Sequence, residues 1–268
     1  MSERTHYAIR GGGQGRERLR LLGRVMHDTS SRLFDRLGLA DGMACLDAGC
    51  GGGDATLEIG RRVAPAGRVV GVDLDAAKLE IARVEAAERG AANVTFEQRD
   101  IHDAGGMTFD VVYSRFLLTH LSDPANVVRS FHAQLRPGGR VAVEDIDFSG
   151  HFTHPPSPAA ERYQALYRAV VDKRGGDPDI GPKLPRLLLD AGFVDVDVMI
   201  AQPAGLKGES KLLNPITLEA IAGAVIEDGL ATREEVDALV DELYAFAADP
   251  ATLAGLPRIV QTWGQARS

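Results

Sequence analysis

Apolar positions along this chain follow two alternating periods. Short apolar runs at residues 45–47, 68–73, 93–98, 109–114 and 140–145 are flanked by glycine, proline or acidic residues, the pattern of buried strands. Between them apolar residues recur every three or four positions, as on one face of a helix. The stretch after Asp54 carries Leu57 and Ile59, residues 76–89 carry Leu79, Ile81, Ala82 and Val84, and the stretch from Pro124 carries Val127, Val128, Phe131 and Leu135. Asp75 and Asp123-Pro124 stand where helices are capped, and Gly90 stands where one ends. This alternation predicts an α/β protein with a doubly wound, mostly parallel sheet and helices on both faces.

The flanks read differently. Leu19, Leu22, Val25 and Met26 form one stripe, and Leu33, Phe34 and Leu37 a second after a break at Thr29-Ser30, so two N-terminal helices are predicted. Residues 1–17 are polar and glycine-rich, a flexible arm if taken alone. Residues 148–158 hold His151, His154 and three prolines, and are predicted as a loop. A helix with Tyr163, Leu166, Tyr167, Val170 and Val171 follows, then a helix through Leu187 and Leu189 and an alternating strand at 193–200. Residues 204–257 read as mostly helical, with a capping box at Thr232 to Glu235, and 258–263 as a closing strand.

Composition narrows the function. A chain of 268 residues suits one large domain with additions, and a net charge of −8 offers no general attraction to nucleic acid or an anionic membrane. Cys45 and Cys50 are too few for a disulfide scaffold and lack partners at zinc spacing, so no metal site is expected. No 18-residue apolar run exists and the polar N-terminus is no signal peptide, so a cytoplasmic location is expected.

The chemistry concentrates after the first strand, in Asp47, Gly49, Gly51 and Gly53. Glycines let a ligand lie against the backbone, and the next helix directs free N–H groups at the same spot. The spacing is not the dinucleotide G-x-G-x-x-G, because the sixth position is Asp54, and no Lys-Ser/Thr follows as in a phosphate-binding loop. An acidic residue with this loop suits a ligand bearing a cationic amine. Asp73 ends the second strand, where an acidic residue chelates ribose hydroxyls in doubly wound sheets. Asp100 ends the third.

Together these motifs resemble those of the class I S-adenosylmethionine (SAM)-dependent methyltransferases, of the small-molecule, type 11-like kind. The resemblance covers residues 45–145 through motifs and the rest through architecture. It implies a Rossmann-like sheet of seven strands with an antiparallel last strand, N-terminal helices over residues 1–44, and a SAM-binding domain over 45–268 with helical lid insertions near 149–185 and 204–257. It implies SAM as cofactor, its methionine end on Asp47 and the glycines, its ribose on Asp73 beside Leu74, and its adenine on Asp100 and Ile101. Ser114 and Arg115, ending the fourth strand, would lie under the transferable methyl group. Tyr7, Gln14 and Arg18 would face cofactor or substrate.

His120 is the leading candidate for a general base, because histidine titrates near neutrality and follows the fourth strand. Arg115 is the second catalytic candidate, orienting an anionic oxygen or the cofactor carboxylate; His151 and His154 compete with His120. His6, His27, His102 and His132 read as surface or packing residues, Tyr163 and Tyr167 as packing, and Trp263 as core. The expected reaction is methyl transfer to an O, N or C atom of a small organic acceptor. Alternatives are a SAM-binding protein without methyl transfer and a methyltransferase of RNA or protein. A homodimer is left open.

Overall fold

The computed structural model describes residues 13–102 and 106–267, with the side chains of 13 and 14 outside the description. Tyr7, His6 and the Gln14 side chain therefore fall outside it. Helix α1 spans Gly13–Leu37 without interruption, where two helices were expected. The Thr29 hydroxyl donates to the Met26 carbonyl at 2.9 Å, and the buried Ser30 hydroxyl accepts from Arg115. Both polar side chains are satisfied in place, so they do not break the helix.

Strand β1 (Ala44–Ala48), helix α2 (Asp54–Val63), β2 (Arg68–Asp73), α3 (Ala76–Glu88), β3 (Val94–Gln98), β4 (Phe109–Arg115), α4 (Pro124–Ala133) and β5 (Leu135–Asp147) follow in order. Asp75 caps α3 by accepting from the Ala77 and Lys78 N–H groups, and Asp123 caps α4 by accepting from Asn126. The turn at 136–139 falls inside β5, as a register irregularity against β4. Then come β6 (Phe152–His154), α5 (Pro158–Lys173), α6 (Leu184–Asp190), β7 (Val194–Ala201), β8 (Ala204–Gly205), α7 (Leu213–Glu227), α8 (Arg233–Ala248), β9 (Leu253–Gly255) and β10 (Arg258–Gln265).

The main sheet has seven strands in the order β3-β2-β1-β4-β5-β10-β7, parallel except for β10, which runs antiparallel to both neighbours. The doubly wound, mostly parallel sheet is thus as expected. A second sheet, β6-β9-β8, was not: residues 152–154, expected as loop, pair with 253–255.

The sheet faces carry separate cores. Leu33, Phe34 and Leu37 of α1 join α2 and α3 on one face, with the Phe34 ring edge-on to Tyr113 at 5.0 Å. Helices α4 and α6 cover the other. A third core joins α5, α7 and α8 to Met26, Phe148 and Ile259. Burial of these stripes is the main stabilising term, at about 25 cal/mol per Å² of apolar surface. Tyr163 and Tyr167 sit in that third core, as expected, whereas Trp263 is only half-buried, under the Arg36 guanidinium.

Candidate active site

Strand order reverses between β1 and β4, which opens a crevice at the carboxyl ends of the strands. A cavity of about 290 Å³ lies there. Its lining brings together Asp47, Gly49, Gly51, Asp73, Leu74, Asp100, Ile101, Arg115 and His120, nine of the eleven site residues drawn from the sequence. Gly53 and Ser114 are outside the lining.

The glycine loop is held from beneath. The N–H groups of Gly49 and Cys50 both donate to the Val72 carbonyl at 2.9 Å, and Gly51 N–H donates to Asp73 at 2.9 Å. Asp73 also accepts from the Asp75 N–H with its other oxygen, so one carboxylate fixes both the loop and the start of α3. Gly49, Gly51 and Gly53 have φ of 74°, 53° and 81°. Such angles strain any residue with a Cβ. At Gly53 a Cβ would also sit 2.7 Å from the Phe96 ring, so this glycine serves packing of the loop on β3. Ser114 is buried and donates to the Ala48 carbonyl at 2.9 Å, tying β4 to β1.

Burial pushes the Asp47 carboxyl up to about 6, opposed by the Thr56 hydroxyl, which donates to it at 2.6 Å, and by the charge of Arg115. Asp100 is exposed and held below the usual carboxylate range by the His102 N–H and ring. His102, expected at the surface or in packing, also lines the cavity. Burial raises both cysteine thiols, so Cys45 and Cys50 stay protonated.

Two features of the site were not legible in sequence. Arg16, in the stretch expected as a flexible arm, is 6% exposed and pairs with Asp54 at 2.7 Å and Glu85 at 2.5 Å. A Cβ on Gly52 would lie 2.2 Å from its guanidinium, so Arg16 lies directly across the glycine loop. Phe116 takes φ of 54°, a conformation costly for an aromatic residue, directly after Arg115.

His120 sits on a short 3₁₀ turn, Leu118–His120, and burial lowers its pKa to about 3, with the charges of Arg18 and Lys78 adding to the effect. It is a neutral imidazole at physiological pH, and the same burial and charges oppose its taking up a proton. Desolvation likewise lowers His151 to about 3, and both its ring nitrogens are buried without a hydrogen-bond partner. His154 is exposed and outside the lining, and His27 is also exposed.

The turn carrying His120 is anchored by Asp145, fully buried at the end of β5. Its carboxylate accepts from the Thr119 N–H at 3.1 Å and the Ile146 N–H at 2.8 Å. Burial raises its pKa to about 7. Between about pH 4 and 7 the folded chain therefore holds a proton that the unfolded chain releases. The stabilisation is complete below the unfolded value and is lost as pH rises through 7. Asp145→Asn, which stays neutral, is thus expected to gain a few degrees in Tm relative to the parent between pH 5 and pH 8. A difference that stays constant with pH in calorimetric scans would refute this.

No cluster of three or more metal-ligating side chains occurs among the described residues, and no helix among them is long and apolar enough to cross a membrane. A family described as "Methyltransferase domain" matches residues 39–176. Phosphoethanolamine N-methyltransferase 1 of Triticum aestivum is 33% identical over 63% of this chain and 32% of its own length. A ubiquinone biosynthesis O-methyltransferase of Pseudomonas paraeruginosa is 38% identical over 42% of this chain and 48% of its own. The chain thus spans less than half the length of these curated relatives. Among solved structures, a Bacillus halodurans protein superposes with a TM-score of 0.62 at 18% identity, over 89% of this chain and 98% of that one.

Proposed function

Because the chain belongs to the methyltransferase-domain family, we propose that it is a SAM-dependent methyltransferase acting on a small organic acceptor. The observation that carries this reading is that one cavity joins the glycine loop, Asp73, Asp100 and His120. The residues fit the cofactor: glycines give backbone access, buried Asp47 faces a cationic amine, and Asp73 keeps lone pairs for ribose hydroxyls beyond its two backbone bonds. Leu74, 59% exposed although apolar, and Ile101 offer an apolar seat for adenine, with Asp100 at its amino edge.

Bound there, SAM supplies an electrophilic methyl carbon on a sulfonium. The leaving group is already activated, so the protein's task is alignment and exclusion of water. Arg115 holds α1 through Ser30 and lends positive charge beside Asp47. His120 presents a neutral imidazole to the acceptor and can hold it by a hydrogen bond. Residues around 149–185 and 204–257 cover the acceptor side of the cavity, with Tyr163, Tyr167 and Thr217 in its lining.

Titration calorimetry with SAM and S-adenosylhomocysteine tests the reading, with micromolar binding of both expected; absence of binding by folded protein would overturn it. His120→Ala is expected to keep that affinity while lowering turnover about tenfold, the size of one lost orienting hydrogen bond. Parental turnover would remove His120 from the mechanism.

A further inference from the structure

Charge is distributed unevenly along the cavity. Its carboxylates, Asp47, Asp54, Asp73, Asp75 and Asp100, all belong to the glycine loop and the ends of β1 to β3. At the other end the wall comes from α1, α5, α7 and the segment after β5, and none of the described residues lining it is acidic. What lines it is Phe148, Tyr163, Tyr167, the neutral His151, Thr217 and one cation, Arg18. Arg18 donates from Nε to the Thr217 hydroxyl at 3.1 Å, and its charge is felt at both Tyr163 and His120. The guanidinium therefore stands between the aromatic wall and the turn after β4.

The aromatic wall is not a cage for an ammonium group. Phe148 and Tyr167 are stacked at 4.3 Å and 9°, so each covers a face of the other, and the guanidinium of Arg168 lies 5.7 Å over the Phe148 ring. Arg168 is itself paired with Asp179 at 2.5 Å, so the like charge that an ammonium group would meet at this end is that of Arg18, which pairs with no carboxylate among the described residues. A planar apolar ring gains from the same wall, and an anionic oxygen on that ring gains from Arg18.

We propose that the acceptor is a hydroxylated aromatic compound bound as its oxyanion, with the ring against the Phe148–Tyr163–Tyr167 wall and the oxygen facing Arg18. The proposal rests on the reading of the glycine-loop end as the SAM site. The aryl O–H proton passes to bulk water as the acceptor binds, the oxygen lone pair forms the new O–CH3 bond, and the electron pair of the broken C–S bond stays on sulfur. A cationic amine with no anionic group is disfavoured as acceptor by the same charge.

The test uses the intact chain loaded with S-adenosylhomocysteine and 4-nitrophenol as probe, read by the absorbance of the nitrophenolate. At a pH one unit below the probe's own pKa, the bound probe is expected to show the phenolate band. Phosphoethanolamine and sarcosine are expected to accept no methyl group from SAM. Arg18→Met should weaken probe binding at least tenfold and abolish the band while changing S-adenosylhomocysteine affinity less than twofold. Thr217→Val, which removes the hydrogen bond but keeps the cation, should retain the band. Binding of S-adenosylhomocysteine without a phenolate band, methyl transfer from SAM to either amine, or an unchanged band in Arg18→Met overturns the proposal alone. Failure to bind S-adenosylhomocysteine overturns the cofactor reading together with it.

Discussion

Asp73→Ala is expected to lower SAM affinity by about a hundredfold or more. In the proposed site its carboxylate accepts two ribose hydroxyls, and hydrogen bonds to a charged group contribute about 1.5–3 kcal/mol each. Every 1.4 kcal/mol is about tenfold in affinity. The same substitution also strips the acceptor from the Gly51 and Asp75 N–H groups, so the glycine loop and the start of α3 lose their common anchor. Asp73→Asn keeps one carbonyl acceptor and is expected to fall between the two. Calorimetric titration settles it: affinity within threefold of the parent in the alanine variant would remove Asp73 from the site.

The second large effect concerns stability. Gly53→Ala places a Cβ 2.7 Å from the Phe96 ring and 3.1 Å from the Ala82 Cβ, at φ of 81°. The backbone conformation costs about 1–2 kcal/mol and the overpacking about 1–3 kcal/mol. For a chain of this size the sum corresponds to a fall in Tm of roughly 5–15 °C. Gly51→Ala has similar backbone strain but its nearest neighbour is Leu19 at 3.7 Å, so its loss should be visibly smaller. Equal losses in the two variants would show that φ alone decides, and that Gly53 has no special packing role.

These cases mark how far the sequence reaches. The strand–loop–helix units over residues 44–147 are legible because each is local: an apolar run, a glycine or proline, an aspartate cap. The convergence of Asp47, Asp73 and Asp100 is legible too, because parallel strands in such a sheet deliver their carboxyl ends to one edge. Division of labour within the loop is not. Gly49 and Gly51 line the cavity while Gly53 packs against Phe96 and Ala82, both distant in sequence. The sheet of β6, β8 and β9 escapes for the same reason, since strands of two or three residues pair across about fifty positions for β8 and about a hundred for β6. Arg16 looked like part of a flexible arm because its partners, Asp54 and Glu85, are distant in sequence. Asp145 gave no signal at all: a carboxylate ending a strand reads the same whether it is exposed or buried.

The antiparallel placement of β10 has a consequence for how such a protein can diversify. Ala201, the last residue of β7, pairs directly with Ile259 near the start of β10. The chain thus leaves the sheet for residues 202–257 and returns one strand spacing away, about 5 Å. Topologically, α7, α8 and two strands of the small sheet are the loop of a hairpin. A loop of that kind can be lengthened, shortened or exchanged without shifting the register of any strand that carries Asp47, Asp73 or Asp100. Evolution or a protein engineer can therefore exchange the α7 part of the acceptor side, which carries Thr217, as a cassette, while the frame beneath it stays fixed.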